Sequence, residues 1–109
     1  MQNTLQISDK PNYFQKELEL KYQNPSTTVK DGLKSIFAIE WTERENEEFG
    51  EYFSLKLNDT IFKVYKLADL YKIIVCTKNP TTTLIQWTSN FLPPLIERFK
   101  AVGFKSIED

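Results

Sequence analysis

The sequence contains no histidine, and this absence bears most directly on chemistry. Histidine is the usual general base near neutral pH and the commonest ligand of transition metals. Without it the chain cannot build a Ser-His-Asp triad, a Cys-His nucleophile or a zinc site of mixed cysteine and histidine ligands. Carboxylate, lysine or tyrosine chemistry remains, so we expect a protein that is not an enzyme and that holds no cofactor and no metal.

Cysteine and long apolar runs are also scarce. The single cysteine, Cys76, excludes an internal disulfide and fits a reducing compartment. It lies in the apolar run IIVCT, where a free cysteine is typically a small buried hydrophobe. No apolar run approaches membrane-spanning length, and the N-terminal MQNTLQISDKPNYF lacks the basic and apolar regions of a secretory signal. We therefore expect an intracellular protein, cytoplasmic or nuclear.

An excess of charge of either sign is absent as well. The 14 basic and 15 acidic side chains give a net charge of −1, which argues against general phosphate binding but leaves room for a local basic patch. Aromatic residues are plentiful at 14%, enough for a dense core with a few left over for a partner surface. The length of 109 residues predicts a single α+β domain over 1–109, with residues 1–9 as a flexible arm.

The first part of the chain predicts a helix, a strand, a loop and a second strand. Pro11 suits the first turn of a short helix over 10–16. The alternation in KELELKY predicts a strand over 16–22, with a helix running on from Pro11 as the competing interpretation. QNPSTTVKDG has the composition of a loop. KSIFAIEWT, at 34–42, is apolar on both faces, which predicts a central strand.

The middle of the chain predicts an acidic loop and three strands. ERENEEFG, which ends at Gly50, has the composition of a loop. EYFSLKL alternates cleanly between apolar and polar residues, and the turn NDT leads into two more strands over 60–67 and 71–77. Short connections between successive strands imply that neighbouring strands are antiparallel.

The end of the chain predicts a helix with one apolar stripe. The stripe recurs at spacings of three and four residues and consists of Leu84, Trp87, Phe91, Leu95, Phe99 and Val102. Pro93 and Pro94 interrupt it, so either one helix kinks there or a second helix begins at Pro94, and a kink with both halves on the sheet keeps the stripe in phase. FKSI, after Gly103, predicts a last short strand. These elements predict an antiparallel sheet of about five strands with a C-terminal helix packed on one face.

The most conspicuous candidate surface lies in the strands FKVYKLADLYKIIVCTKNP. Lysines and tyrosines interleave there, as they do on the sheets of single-stranded nucleic-acid binders. Strand alternation places Lys63 and Lys66 on opposite faces, so the lysines cannot all share one surface, and solvated strands are the competing explanation. Trp41 joins the candidates because a large aromatic beside a loop can anchor a partner, although a core position is the alternative. The candidate partner-binding residues are Trp41, Lys63, Tyr65, Lys66, Tyr71 and Lys72.

The segment EWTERENEEFGE gathers six glutamates around one arginine. Oxygen ligands suit Ca²⁺ or Mg²⁺, but the spacing of an EF-hand loop is absent. A solvated loop, or a docking loop for a basic partner, explains the segment better.

A run of short strands that ends in a helix with Trp87 near its start is similar to the end of a pleckstrin-homology-type domain. The resemblance covers about residues 71–99, and Trp87 is its one motif-like residue. The chain departs from that pattern at Pro93-Pro94, has fewer clear strands and lacks a basic phosphoinositide loop. We therefore do not assign it to that family.

The function follows mostly from exclusion. We expect a non-catalytic protein–protein interaction module, a small subunit, adaptor or regulator of a larger assembly. Its partner would be another protein or a second copy, bound through an exposed strand edge or the helix. The alternative is a nucleic-acid or anionic-lipid binding domain that uses the Lys/Tyr-rich strands 60–78. A third hypothesis is an enzyme with two carboxylates of different pKa in one cleft.

Overall fold

The computed structural model describes residues 13–48 and 50–107. The strands are β1 (Tyr13–Tyr22), β2 (Thr42–Asn46), β3 (Gly50–Leu57), β4 (Thr60–Lys66), β5 (Tyr71–Lys78) and β6 (Phe104–Ser106). The helices are α1 (Val29–Phe37), α2 (Leu84–Asn90) and α3 (Leu92–Ala101). The arm expected over residues 1–9 lies outside the described residues.

The strands form one antiparallel sheet in the order β2-β3-β4-β5-β1-β6. The short connections between β2 and β5 produce a simple meander, as neighbouring antiparallel strands allow. The α+β class and the antiparallel sheet are therefore confirmed. The sheet has six strands and not about five: part of the predicted acidic loop forms the edge strand β2, which replaces the strand predicted over 34–42, and residues 104–106 add the short strand β6.

The apolar core lies between the helices and one face of the sheet. Phe99 of α3 is fully buried and its ring lies 5.4 Å from that of Phe104 on β6. Val64, Ile73 and Val75 of the central strands are also fully buried. Burial of one such side chain stabilises a fold by about 1.5–3 kcal/mol, so this face accounts for much of the stability of the sheet.

Helix α1 corrects the largest error of the sequence analysis, which placed a loop over 23–32 and a strand over 34–42. The hydroxyl of Thr28 caps the helix by accepting from the backbone N–H of Asp31 at 3.2 Å. Leu33 and Ile36 then face the core at a helical spacing of three. The spacing of the apolar residues in this short segment fits a strand as well as a helix. The capping residue Thr28 was not recognised because it lies in QNPSTTVKDG, which has the composition of a loop.

Strand β1 corrects the start of the chain. The predicted strand over 16–22 is confirmed and begins earlier, at Tyr13. The predicted helix over 10–16 is therefore wrong from residue 13 onward, and residues 10–12 lie outside the described part. The strands predicted over 60–67 and 71–77 and the short final strand match β4, β5 and β6 closely.

The C-terminal segment bends at Phe91, between α2 and α3. The N–H of Phe91 donates to the Trp87 carbonyl at 3.0 Å, and the N–H of Leu95 donates to the Phe91 carbonyl at 3.4 Å, so the helical path continues through the bend. Pro93 and Pro94 lie in the first turn of α3, where an N–H needs no partner within the helix. The kink therefore lies at Phe91, two residues before Pro93.

The apolar stripe of this segment faces the core along most of its length. Trp87, Leu95 and Phe99 are buried, and Phe91 and Val102 are half-buried. Leu84 is the exception, because 54% of it is exposed at the first position of α2. The prediction that the stripe packs on the sheet thus holds from Trp87 onward.

Candidate functional site

The face of the sheet opposite the helices is the candidate site, and strand register decides which side chains lie on it. Tyr65 pairs with Tyr52 on β3 and with Lys72 on β5. Directly paired residues of antiparallel strands point to the same side of the sheet. We call this side the open face. Its side chains are Tyr13, Gln15, Glu17, Glu19, Lys21, Thr42, Arg44, Asn46, Tyr52, Ser54, Lys56, Ile61, Lys63, Tyr65, Lys72, Ile74, Cys76, Lys78 and Lys105.

The open face is basic although the chain as a whole is not. On β3, β4 and β5 it carries the lysines Lys56, Lys63, Lys72 and Lys78 and no carboxylate. Across the whole face the acidic residues are Glu17 and Glu19, both on β1. Since the net charge of the chain is −1, the balancing carboxylates lie elsewhere. The strands therefore separate charge between the two sides of the sheet.

Ion pairing leaves most of this positive charge available. Lys72 lies 3.2 Å from Glu17 and is the one open-face cation in an ion pair within residues 13–48 and 50–107. Lys21 and Lys105 lie directly opposite each other on β1 and β6, an arrangement of like charges that destabilises the pairing unless an anion is nearby. Bound negative charge would thus be favoured on this face.

Two tyrosines lie between the lysines. The rings of Tyr52 and Tyr65 stack with centroids 4.6 Å apart, and the Lys63 ammonium lies 5.9 Å from the centroid of the Tyr52 ring. Tyr65 is only 5% exposed. Burial, followed by the influence of Tyr52 and Glu48, raises the pKa of the Tyr65 hydroxyl above its usual value near 10. Both rings are therefore engaged within the protein.

The predicted partner-binding residues divide into three groups. Lys63, Tyr65 and Lys72 come together on the open face. Trp41 lies in the core: it is 4% exposed, and its Nε1 donates to the Leu33 carbonyl at 2.9 Å. The structure thus places Trp41 where the competing core interpretation did. Lys66 and Tyr71, described next, lie on the side of the sheet that carries the helices.

Lys66 and Tyr71 line a cleft of about 650 Å³ beside the first turn of α1. Lys30 and Glu43 close part of its rim with an ion pair of 2.9 Å. The hydrogen bond to Glu43 raises the pKa of Lys30, and burial raises the pKa of Tyr71. The Lys/Tyr-rich strands therefore contribute to two separate surfaces.

The predicted acidic segment turns out to be an exposed edge. Its glutamates are all exposed, and they are Glu40, Glu43, Glu45, Glu47, Glu48 and Glu51. Glu43 and Glu51 line the cleft beside α1. In the described part of the chain, no group of three or more histidine, cysteine, aspartate or glutamate residues is placed to hold a metal ion. Cys76, expected to be buried, is half-exposed on the open face.

Sequence reasoning missed most members of the open face, among them Arg44, Tyr52, Lys56 and Lys78. Arg44 was hidden because β2 was interpreted as a loop, whereas Tyr52 lies on β3, which was predicted as the strand EYFSLKL. The positions of Lys56 and Lys78 could have been predicted from the turn NDT. This turn sets Leu57 opposite Thr60 and thereby fixes the register of β3 against β4. That register, carried on to β5, brings the lysines to one side.

The chain matches no family model, no curated protein and no solved structure in the three comparisons made with known proteins. It is therefore assigned to no family. No helix in the described residues is long and apolar enough to cross a membrane.

Proposed function

We propose that this protein is a non-catalytic interaction module that binds an acidic partner protein on its open face. The observation that carries the proposal is the set of four lysines on the open face of β3, β4 and β5, strands that carry no carboxylate on that face. Within the described residues only Lys72 of the four is ion-paired, to Glu17 of β1. Complementary charge across an interface speeds encounter and suppresses wrong partners. A subunit, adaptor or regulator would use such a face to select one partner in a larger assembly.

A second copy of the chain fits this face poorly. Two open faces brought together would join two surfaces of the same positive sign, because each carries Lys56, Lys63 and Lys78 without an ion pair in the described residues. Like charges at such close range cost several kcal/mol, by the general magnitude for mismatched interfaces. The proposed partner is therefore a different protein.

The state of the tyrosines favours a protein over a nucleic acid. Proteins that bind single strands stack bases on accessible aromatic rings. Here Tyr65 is buried, and the Tyr52 ring is already covered by Tyr65 and approached by Lys63. Tyr13, opposite Lys78 at one end of the face, is the exposed ring among the described open-face tyrosines. A single ring at one end offers little stacking surface to successive bases, so the lysines suit carboxylates better. Nucleic-acid or anionic-lipid binding, the alternative from the sequence, is kept as an outcome of the test.

The test compares three polyanions with one set of variants. Fluorescence anisotropy would measure binding of labelled poly-L-glutamate, poly(U) RNA and anionic phospholipid vesicles at low salt. The variant K56Q/K63Q/K78Q removes three open-face charges, and its matched control K34Q/K66Q/K100Q removes three exposed charges elsewhere. We expect poly-L-glutamate binding that weakens about tenfold or more in the first variant and much less in the control, and that falls with added salt.

Two results would contradict the proposal. Equal losses in both variants would show that total charge, and not the open face, sets the affinity. A clear preference for poly(U) or for vesicles, lost in K56Q/K63Q/K78Q, would move the function to nucleic-acid or lipid binding on the same face.

A further inference from the structure

Among the residues that the structure describes, nothing pairs with most of the outer edge of β1. β1 pairs with β5 from Tyr13 to Leu20, but β6 covers only Leu20 to Tyr22 on the other side. Within the described residues, no strand pairs with the outer side of residues 13–19. An edge of this length can accept an extended segment from another chain.

One hydrogen bond shows which backbone groups face outward. The N–H of Gln23 donates to the Gly103 carbonyl at 2.8 Å, so the odd-numbered residues of β1 bond toward β6. The register from β1 to β5 is continuous, which leaves this alternation undisturbed along the strand. Gln15, Glu17 and Glu19 therefore present their N–H and C=O groups to the open edge.

On the helix side of β1, the side chains next to that edge alternate between apolar and basic. Phe14 and Leu18 are half-buried and pack against the core, and Lys16 lies between them and is exposed. Lys16 has no ion pair within the described residues. A lysine on the core-facing side of an edge strand is a device that discourages unwanted strand pairing.

Lys16 also argues against pairing between two copies. A two-fold antiparallel pairing with the greatest overlap of residues 13–19 is centred on Lys16 and sets it directly opposite Lys16 of the second copy. Pairings centred on Glu17 or on Gln15 overlap over fewer of these residues, and the one centred on Glu17 sets two glutamates opposite each other. Like charges directly opposite across strands are destabilising.

We propose that the outer edge of β1 binds an extended segment of another protein in which an acidic residue is flanked, two positions away on each side, by apolar residues. The acidic residue would lie opposite Lys16, and the apolar residues would extend the cover over Phe14 and Leu18. Backbone hydrogen bonds would come from Gln15, Glu17 and Glu19. This edge is separate from the lysines of the open face, so the inference does not rest on the proposed function.

The test uses two synthetic peptides, Thr-Val-Thr-Glu-Thr-Val-Thr and the same peptide with a central lysine. Amide hydrogen exchange of the full chain would be followed by NMR with each peptide at millimolar concentration. We expect the glutamate peptide to slow exchange at Gln15, Glu17 and Glu19, and to leave Lys16 and Leu18, which already bond to β5, unchanged. The glutamate peptide should bind roughly fivefold more tightly than the lysine peptide, as one charged cross-strand pair allows.

The variant K16E sharpens the test by reversing the charge. K16E should bind the lysine peptide more tightly than the glutamate peptide by a similar factor. The β5 amides that pair with β1 should keep their protection from exchange, which would show that the variant is folded. Binding of poly-L-glutamate through the open face is a separate readout, so its loss would not affect this result. An unchanged preference in K16E, no added protection from either peptide, or strong protection of Gln15, Glu17 and Glu19 in the free protein would each overturn the inference.

Discussion

The two sides of the sheet are built from the same strands but have opposite chemistry. On the helix side, Val64, Ile73 and Val75 are completely buried. Their immediate neighbours in sequence, Lys63 and Lys72 among them, lie on the open face and are partly exposed. Because alternate residues of a strand point to opposite sides, one short sequence can supply both a core and a charged surface. The difference shows that the density of lysines in β4 and β5 is compatible with a well-packed fold.

The two sides also differ in how their polar groups are held. On the helix side, Thr77 Oγ1 lies 3.1 Å from both Thr60 Oγ1 and Trp87 Nε1, so a hydroxyl at the edge of the core has two partners. On the open face, most of the lysine ammonium groups are left to solvent. Substitutions should therefore cost stability on the helix side and affinity on the open face. The following predictions test this separation.

The largest effect is expected from Trp87→Ala, on the helix side. Trp87 is 6% exposed and packs between the rings of Phe14 and Phe91, with centroids 5.7 and 5.6 Å away. Removing a buried indole should lower the free energy of unfolding by about 3–5 kcal/mol, measured by urea denaturation. Ile85→Ala, at a position 79% exposed on the same helix, is the control and should change little. An unchanged stability in Trp87→Ala together with lost partner binding would make α2 the working surface.

A smaller effect is expected from Thr77→Val, which keeps the shape of the side chain and removes its hydroxyl. The substitution leaves the Trp87 Nε1–H without its acceptor and the Thr60 hydroxyl without its neighbour. An unsatisfied, partly buried donor costs about 1–3 kcal/mol. The same urea titration would measure this loss, with the exposed Thr82→Val as the control. A neutral result would show that water replaces the hydroxyl and that this edge of the core is open to solvent.

An alkaline titration probes the one buried tyrosine of the open face. Burial raises the pKa of the Tyr65 hydroxyl above its usual value of 10.0. Below that pH the hydroxyl is protonated in both the folded and the unfolded chain, so the contribution of Tyr65 to the free energy of unfolding is fully present. As the pH rises further, the unfolded chain loses its tyrosine proton first, and the free energy of unfolding falls until the folded pKa is passed. Tyr65→Phe should therefore reduce the loss of stability above about pH 10, while the exposed Tyr13→Phe serves as the control. An identical pH dependence in both variants would show that other groups determine the alkaline loss.

The sequence predicted the parts of the fold that depend on alternation and turns. The strands from Tyr52 to Lys78 alternate clearly and are joined by short turns, so their existence and antiparallel order followed directly. Helix α1 was not predicted, because in so short a segment Leu33, Ile36 and Phe37 fit the two-residue period of a strand as well as the 3.6-residue period of a helix. Missing α1 also hid β2 and, with it, the contribution of Arg44 to the open face.

The candidate site was predictable only in part, because alternation within one strand is visible in the sequence and the register between strands is not. Alternation separates Lys63 from Lys66 correctly, and the structure places them on opposite sides of β4. Which lysines of other strands join Lys63 depends on register between strands, and register is set by turn geometry that composition alone does not specify. The burial of Tyr65 on a face without helices depends on its stacking with Tyr52, which is a tertiary contact.

The smallest effect on stability is expected from K56Q/K63Q/K78Q on the open face. Exposed charges contribute little to folding, and these three lysines make no ion pair within the described residues. The largest share should come from Lys63, since its approach to the Tyr52 ring at 5.9 Å is worth about 0.5–1 kcal/mol at an exposed site. We therefore expect the free energy of unfolding, measured by urea denaturation, to fall by no more than about 1 kcal/mol, close to the change in K34Q/K66Q/K100Q. A loss as large as that of Trp87→Ala would mean that the open face also supports the fold, and that its lysines cannot be assigned to binding alone.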